Sequence, residues 1–166
     1  MNVTSRPSTS DDLDELVRLY RLLEAEQAAL RPFWPLADGL DEPVVESFAK
    51  ILVDPESILL VGTVDGVPLG FLWARPEDLL AQAGGERVGV IRLIFTEPGA
   101  RGVGVGHVMT VSALDSLRGS GLRFFDARVS PGHRHAKNFF EAHGFKARLI
   151  FMHRDDERPA GSGDAE

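Results

Sequence analysis

The sequence predicts a single α+β domain, and three observations lead to this class. Apolar residues recur at helical spacing in four segments, whereas other segments are short apolar runs typical of strands. The two kinds of segment follow one another along the chain within the length of one domain. A glycine-rich stretch, GARGVGVGH, joins one apolar run to a helical segment, which indicates a strand, a tight turn and a helix in succession.

Length and composition fit one globular domain. The 166 residues are 43% hydrophobic and 26% charged, a balance that allows a sizeable single core. The net charge of −7 argues against a nucleic-acid partner. The last twelve residues, DDERPAGSGDAE, hold five acids and one arginine, so they carry −4 of this charge and leave −3 for the rest. We expect one domain over residues 1–154 and a disordered acidic tail over 155–166.

Several classes of protein are excluded or disfavoured. The sequence contains no cysteine, which excludes disulfides, a cysteine-ligated zinc and a thiol nucleophile. Residues 1–10 lack the apolar run of a signal peptide, and no stretch approaches 18 apolar residues, so we expect a cytoplasmic protein without a membrane partner. His133, His135 and His143 lack a carboxylate at a suitable spacing, so we expect no metal.

The first half of the chain reads as two helices and a hairpin. Capping residues in STSDD precede a helix that runs to about Ala29, and its apolar face is formed by Leu13, Leu16, Val17, Tyr20, Leu23 and Leu30. The following loop carries Phe33 and Trp34, two large aromatics that are typical of the lining of a binding cleft. VVESFAKILVD predicts a second helix. Two apolar runs around Asp65-Gly66 predict a hairpin.

The second half predicts three strands and two helices. VGVIRLIFTE reads as an interior strand because it is apolar on both faces apart from Arg92. The glycine stretch and a helix follow, and LRFFDARVS predicts a fourth strand. HRHAKNFFEAHG predicts a short helix that ends at Gly144, and FKARLIFMHR predicts a last strand.

The glycine stretch suits a phosphate. The backbone N–H groups of a helix N-terminus are unpaired, and the helix dipole is positive there. Between Gly102 and Gly106 the glycines allow an anion close to these groups, and Arg101 adds a charged donor.

Three phosphate-binding motifs compete for this stretch. A P-loop needs a lysine, and none occurs between Lys50 and Lys137, which excludes it. A dinucleotide-binding G-x-G-x-x-G fails because its third glycine is replaced by His107 or Met109, although Asp126 stands where a ribose-binding acid would. Asp126 is better explained as a surface acid at a strand end. The third motif, R/Q-x-x-G-x-G/A, fits the stretch better.

Two segments resemble the signatures of the GCN5-related N-acetyltransferase (GNAT) superfamily. Arg101-x-x-Gly104-x-Gly106 resembles R/Q-x-x-G-x-G/A, which holds the coenzyme A pyrophosphate in that family. AKNFFEAHGF, residues 136–145, resembles the second signature, A-x-x-[LF]-Y-E-x-x-G-F. The order of predicted elements over residues 5–153 also resembles the family order.

The resemblance implies a GNAT-like fold with acetyl-CoA as co-substrate. The sheet would be mixed and mostly antiparallel, with six to seven strands flanked by about four helices. It would splay between the strands ending near Thr96 and Val129, with the cofactor in the cleft. The resemblance implies cofactor contacts from the strand backbone, the glycine turn and two further positions: Ile94, Phe95, Thr96, Arg101, Gly102, Val103, Gly104, Val105, Gly106, His107, His133 and Phe140.

The side chains that usually support catalysis in the family differ here. His133 replaces an asparagine that contacts the pantetheine, and Phe140 replaces the tyrosine that protonates the leaving thiolate. Arg92 stands where a glutamate base often lies. We therefore assign no catalytic residue. The candidates are Glu24 and Glu26 on the first helix and Arg92, and the two glutamates are better explained as part of a solvated helix face.

The resemblance implies transfer of an acetyl group from acetyl-CoA to the amine of a small molecule or protein by direct attack. The alternative is an acyl-CoA-binding or regulatory module that has lost catalysis. Either protein would be a monomer or a homodimer. Strand alternation places Arg92 on the face of Ile94 and Thr96. Its partner is predicted to be either an internal acid such as Glu24 or Glu26, or a carboxylate of the acceptor.

Overall fold

The computed structural model describes residues 1–30, 39–130 and 132–157. In this part of the chain it contains five strands and four α-helices. In chain order they are β1 (Val3–Pro7), α1 (Leu13–Leu30), α2 (Val44–Val53), β2 (Ile58–Val64), β3 (Val67–Asp78), β4 (Arg87–Thr96), α3 (Val105–Gly119), β5 (Phe124–Ala127) and α4 (Arg134–Ala142).

The strands form one sheet in the order β1-β2-β3-β4-β5. The first four strands are antiparallel neighbours, whereas β5 runs parallel to β4. Asp65 and Gly66 both have positive φ, +48° and +85°, as the central residues of a tight hairpin turn require. The predicted class, an α+β domain with a mixed and mostly antiparallel sheet, is confirmed, as is the hairpin.

Helices cover both faces of the sheet and create two apolar clusters. On one face, the helices α1 and α2 bury Leu16, Leu19 and Phe48 against Phe71 of β3. On the other face, α3 and α4 bury side chains such as Met109 against the sheet. The 3.6-residue period of the apolar positions explains why each helix has one buried side. None of the helices in the described ranges combines the length and apolarity needed to cross a bilayer.

Two strand predictions were wrong. The last strand, FKARLIFMHR, is absent: residues 145–155 form no strand, and Leu149 to Met152 are exposed. Apolar composition alone suggested a strand there, but a strand also needs a partner edge. Conversely, β1 was not predicted, because its sequence VTSRP is short and polar and its pairing is supplied by β2. The described residues therefore contain five strands instead of six to seven.

Some expectations fall outside the described residues. Phe33 and Trp34 lie in the segment 31–38, and most of the predicted tail lies in 158–166. The single domain over residues 1–154 and the acidic tail remain predictions.

A buried acid just before α1 forms hydrogen bonds with β1. Asp12 accepts hydrogen bonds from both terminal nitrogens of Arg6 at 2.8 and 2.7 Å and from the backbone N–H of Thr9 at 2.8 Å. Its side chain is only 8% exposed. The hydrogen bonds from Arg6 hold the pKa of Asp12 below its ordinary value.

We expect Asp12→Asn to lower the free energy of unfolding at pH 7 by about 1 to 3 kcal/mol, because Arg6 loses its charged partner. Because the folded pKa is depressed, this stabilisation is present above the ordinary aspartate pKa and is lost as the pH falls through the folded pKa. Urea unfolding of both proteins at several pH values should therefore show a difference that shrinks in acid. The exposed neighbour Asp11 provides the control Asp11→Asn. A difference that persists unchanged below pH 2 would contradict the ion-pair explanation.

Candidate functional site

The sheet opens between β4 and β5. The two strands pair over four residues, and the last pair is Ile91 with Ala127. Beyond it, β4 continues to Thr96 while pairing with β3 alone. The predicted splay is therefore confirmed, and it leaves the final residues of β4 with one open edge.

The hydrogen-bond register determines which backbone groups line this edge. Glu97 donates its N–H to the carbonyl of Leu69 at 2.8 Å across β3 and β4. In an antiparallel pair the residues alternate between facing the neighbouring strand and facing away from it. Since Gly70 is paired with Thr96, the backbone groups of Thr96 and Ile94 face the open edge. Those of Phe95 face β3.

A tight turn connects the open edge to α3. Gly102 and Gly104 have φ angles of +81° and +103°, and Gly104 is the N-cap of the 15-residue helix. Among the described residues, no heavy atom beyond the chain neighbours lies within 4 Å of the position that a Cβ would take at either glycine, so this part of the structure leaves the space over the turn open. Gly104, as the N-cap, has no side chain that could form a capping hydrogen bond. The turn therefore presents helix N–H groups to an open space, which favours an anion.

The other residues of the turn differ in burial and in how closely they are packed. The side chain of Val105 is buried, whereas that of Val103 is exposed. A Cβ on Gly106 would lie 3.2 Å from the ring of Phe139 on α4 and 3.7 Å from the hydroxyl of Thr96. Gly106 thus allows the first turn of α3 to lie close to the end of β4.

Three predicted site residues meet at the mouth of the opening. Arg101 donates from Nη2 to Glu26 at 2.5 Å and from Nε to the carbonyl of Thr96 at 3.0 Å. The other oxygen of Glu26 lies 3.0 Å from Nε2 of His133 at the start of α4. The C-terminal half of α1 is therefore linked to both sides of the cleft. The carboxylate of Glu26 is the link.

Two histidines lie beside the first turn of α3. Nδ1 of His107 is 3.0 Å from Nε2 of His143, and Nδ1 of His143 is 2.8 Å from the carbonyl of Phe139. Because a carbonyl only accepts, Nδ1 of His143 carries the proton. When His143 is neutral, its Nε2 is the acceptor and His107 donates from Nδ1. The Nε2 of His107 then has no role in this pair.

Two predicted residues lie away from this cluster. Phe140 is 3% exposed and packs edge-on against Phe139 and Phe145, at 5.2 Å between ring centroids in each case. Its cofactor contact therefore remains a prediction from the family position. Glu24 is 40% exposed and pairs with Arg21 at 2.8 Å on the surface of α1.

Arg92 lies on the opposite face of the sheet from the one that alternation predicts. Trp73 pairs with Leu93 and Ala74 with Ile91, so Arg92 is the extra residue of a β-bulge. Its guanidinium carbon lies 5.3 Å from the centroid of Trp73, on the α1 and α2 face, whereas Ile94 packs on the α3 face. The predicted face was wrong because a bulge breaks the two-residue period. Its internal partner is Glu77, at 2.8 Å, and not Glu24 or Glu26.

Comparison with known proteins supplies the family. Residues 17–145, more than half of the chain, match the model of the Acetyltransferase (GNAT) family. This chain belongs to the GNAT family.

Among the relatives of this GNAT-family chain is a mycothiol acetyltransferase of Nocardioides sp. It is 31% identical over 156 residues, which cover 89% of this chain and 48% of that protein. A mycothiol acetyltransferase of Stackebrandtia nassauensis is 32% identical over 126 residues, or 75% of this chain and 40% of that protein. The chain therefore spans about half the length, or less, of these curated relatives.

Solved structures share the fold at low identity. The aminoglycoside acetyltransferase AAC(6')-Iy, solved with the bisubstrate analogue CoA-S-monomethyl-acetylneamine, has a TM-score of 0.70 and 20% identity and covers 93% of this chain and 99% of its own. A transcriptional regulator from Bacillus halodurans C-125 has a TM-score of 0.72 and 23% identity, covering 92% and 100%. These similarities establish the GNAT fold.

Sequence reasoning missed several neighbours of the GNAT cleft. Glu77 and Arg128 approach Arg92 only because β3, β4 and β5 are adjacent in the sheet. The pairing of His107 with His143 depends on how α4 packs beside α3. A predicted register of β3 against β4 could have suggested Glu77, but the bulge at Arg92 leaves no simple signal in the sequence.

Proposed function

We propose that this chain is an N-acetyltransferase that moves an acetyl group from acetyl-CoA to the amine of a small molecule. The observation that carries the proposal is the open edge of β4 leading into the glycine turn. This arrangement offers an extended backbone edge and an anion site in one continuous surface. Membership of the GNAT family and the names of the relatives, which refer to acetylation, support the same activity.

The cofactor is proposed to lie along this surface with its pyrophosphate at the glycine turn and its pantetheine arm along β4. The N–H groups from Gly102 to His107 would take the pyrophosphate, at the positive end of the α3 dipole. The pantetheine arm would pair with the outward backbone groups of Thr96 and Ile94 as an added strand does. The thioester would then lie toward Arg92, where β4 and β5 separate.

The reaction needs few side chains. The lone pair of the acceptor amine attacks the thioester carbonyl carbon, the tetrahedral intermediate loses CoA as a thiolate, and the amine loses one proton. The N–H of Ile94 faces the edge and would stabilise the oxyanion, an effect of about 3 kcal/mol when such a donor is preorganised. A thiol has a pKa of about 8.5 in the absence of the protein, so the thiolate can leave without a tyrosine acid.

A group must also accept a proton from the acceptor amine. An alkyl ammonium has a pKa of about 10.4 in the absence of the protein. Glu26 accepts one hydrogen bond from Arg101, and its other oxygen lies 3.0 Å from Nε2 of His133, so each oxygen already has a polar partner. If His133 donates from Nε2 to Glu26, its Nδ1 has a free lone pair, and the carboxylate orients the ring. We therefore favour His133 over Glu26 as the proton acceptor, with Glu26 as a positioning residue.

The acceptor is proposed to be small because the relatives are named for small molecules, mycothiol and an aminoglycoside. The test is the release of free thiol from acetyl-CoA with a panel of amino acids, amino sugars, aminoglycosides and polyamines, with mass spectrometry of each product. We expect amine-dependent thiol release and a product 42 Da heavier, the mass of an added acetyl group less one proton. Tight binding of acetyl-CoA without turnover on any amine would favour the alternative, a non-catalytic acyl-CoA-binding module.

A further inference from the structure

Two arginines lie at the point where β4 and β5 separate. Ile91 and Ala127 are the last paired residues of β4 and β5. Arg92 follows Ile91 within β4, and Arg128 follows Ala127, where β5 ends. The backbone N–H of Arg128 donates to the carbonyl of Ile91 at 3.3 Å, which fixes the two positions relative to each other. Both arginines therefore stand beside the end of the cleft toward which the thioester would point.

The side chains of these arginines converge on one face of the sheet. Nη1 of Arg92 lies 2.8 Å from Oε1 of Glu77, and Nη2 of Arg128 lies 3.9 Å from the same oxygen. The guanidinium of Arg92 also lies against Trp73, 5.3 Å from the ring centroid. This is the face that α1 and α2 cover further along β4, opposite to the face of α3.

The charges at this point do not cancel. Two guanidinium groups share the single carboxylate of Glu77, in a chain whose net charge is −7. A guanidinium has five N–H donors. Of the two arginine side chains, only Nη1 of Arg92 donates a hydrogen bond to another residue in the described ranges. Arg92 is 29% exposed and Arg128 is 51% exposed, so an incoming ligand can reach both.

We propose that Arg92 and Arg128 bind a carboxylate of the acceptor, so that the preferred substrates carry both an amine and a carboxylate. A planar guanidinium matches a carboxylate with two hydrogen bonds, and the guanidinium of Arg92 lies beside the ring of Trp73, 5.3 Å from its centroid. Glu77 positions Arg92 by holding one of its nitrogens. This inference rests on the proposed acetyl transfer and specifies its acceptor.

The experiment compares an amino acid with its carboxamide as acceptors, with rates corrected for the fraction of unprotonated amine. In the wild-type protein we expect kcat/KM to favour the carboxylate by about ten-fold or more. Arg92→Gln should raise KM for the amino acid by about ten- to hundred-fold and bring the ratio toward one. Arg128→Gln should act in the same direction with a smaller effect, because its contact is longer and more exposed.

Two further variants separate recognition from folding. Arg92→Lys retains the charge but loses the planar fork, so it should recover part of the preference while the thermal midpoint stays near that of the wild type. Arg123→Gln removes an equal charge from an exposed arginine that pairs with Glu86, and it should leave the ratio unchanged. The inference would be overturned if the ratio of kcat/KM for the amino acid to that for its carboxamide were the same in the wild type and in Arg92→Gln, and the variant lost only stability. The proposed acetyl transfer would remain intact. Failure of every amine would instead refute the proposed function.

Discussion

Replacement of Gly104 by valine is expected to abolish the binding of coenzyme A. Gly104 is the N-cap of α3 with a φ of +103°, and the space above it is open. A valine side chain would occupy that space and keep a pyrophosphate away from the helix N–H groups. In the wild-type protein, CoA at 100 times its Kd should add about 2.7 kcal/mol to the free energy of unfolding. For a domain of this size we expect this to raise the Tm by roughly 5 to 10 °C.

The variant also strains the backbone, because a β-branched residue at positive φ costs about 1 to 3 kcal/mol. Gly121→Val is the matched control: Gly121 follows the other end of α3, has a φ of +89° and has open space at its Cβ position. Both variants should lower the Tm without ligand, but only Gly121→Val should retain the shift that CoA causes. A full shift in Gly104→Val would place the cofactor elsewhere.

Truncation of Phe140 to alanine is expected to lower the free energy of unfolding by about 3 to 5 kcal/mol. The ring is 3% exposed and belongs to the apolar cluster beneath α3 and α4, where it contacts Phe139 and Phe145. Removal of a buried aromatic ring leaves a cavity that close-packed neighbours fill only in part. Chemical denaturation measures this loss directly. A loss below about 1 kcal/mol would contradict the packing that the structure gives this side chain.

Phe140→Tyr tests the catalytic role of the same position. It adds the hydroxyl that the family uses to protonate the thiolate, so we expect kcat to be preserved or raised, with a smaller loss of stability than in Phe140→Ala. The hydroxyl needs a hydrogen-bond partner if it stays buried. Thiol release and denaturation should be measured on the same preparation. A collapse of kcat in a folded tyrosine variant would mean that the phenylalanine ring itself is needed in the cleft.

The elements that sequence reasoning predicted correctly have local causes. The Asp65-Gly66 turn, the amphipathic faces of α1 and α3 and the glycine N-terminus of α3 depend on a few neighbouring residues. Their conformational preferences are therefore visible in the sequence. The cluster of Arg101, Glu26 and His133 was predicted only as separate residues, because each belongs to a different element.

The wrong predictions concern strands and a side-chain orientation that depend on pairing with distant segments. β1 forms because β2 offers an edge, and the segment FKARLIFMHR forms no strand despite its apolar residues. The face on which Arg92 lies depends on a bulge, because one inserted residue moves the side chain to the other side of the sheet. Long-range register is not encoded in residue spacing, and the bulge at Arg92 leaves no simple signal, so Glu77 and Arg128 were not identified as neighbours of Arg92.

We propose that the open edge of β4 and the glycine turn together hold an acyl-CoA. Titration of the ¹⁵N-labelled protein with CoA, followed through the backbone amide signals, tests it most directly. We expect saturable shifts for the amides of Ile94, Thr96 and Gly102 to His107, with little change at Phe95, whose N–H faces β3. Saturable shifts confined to another surface, or no shifts at millimolar CoA, would contradict it.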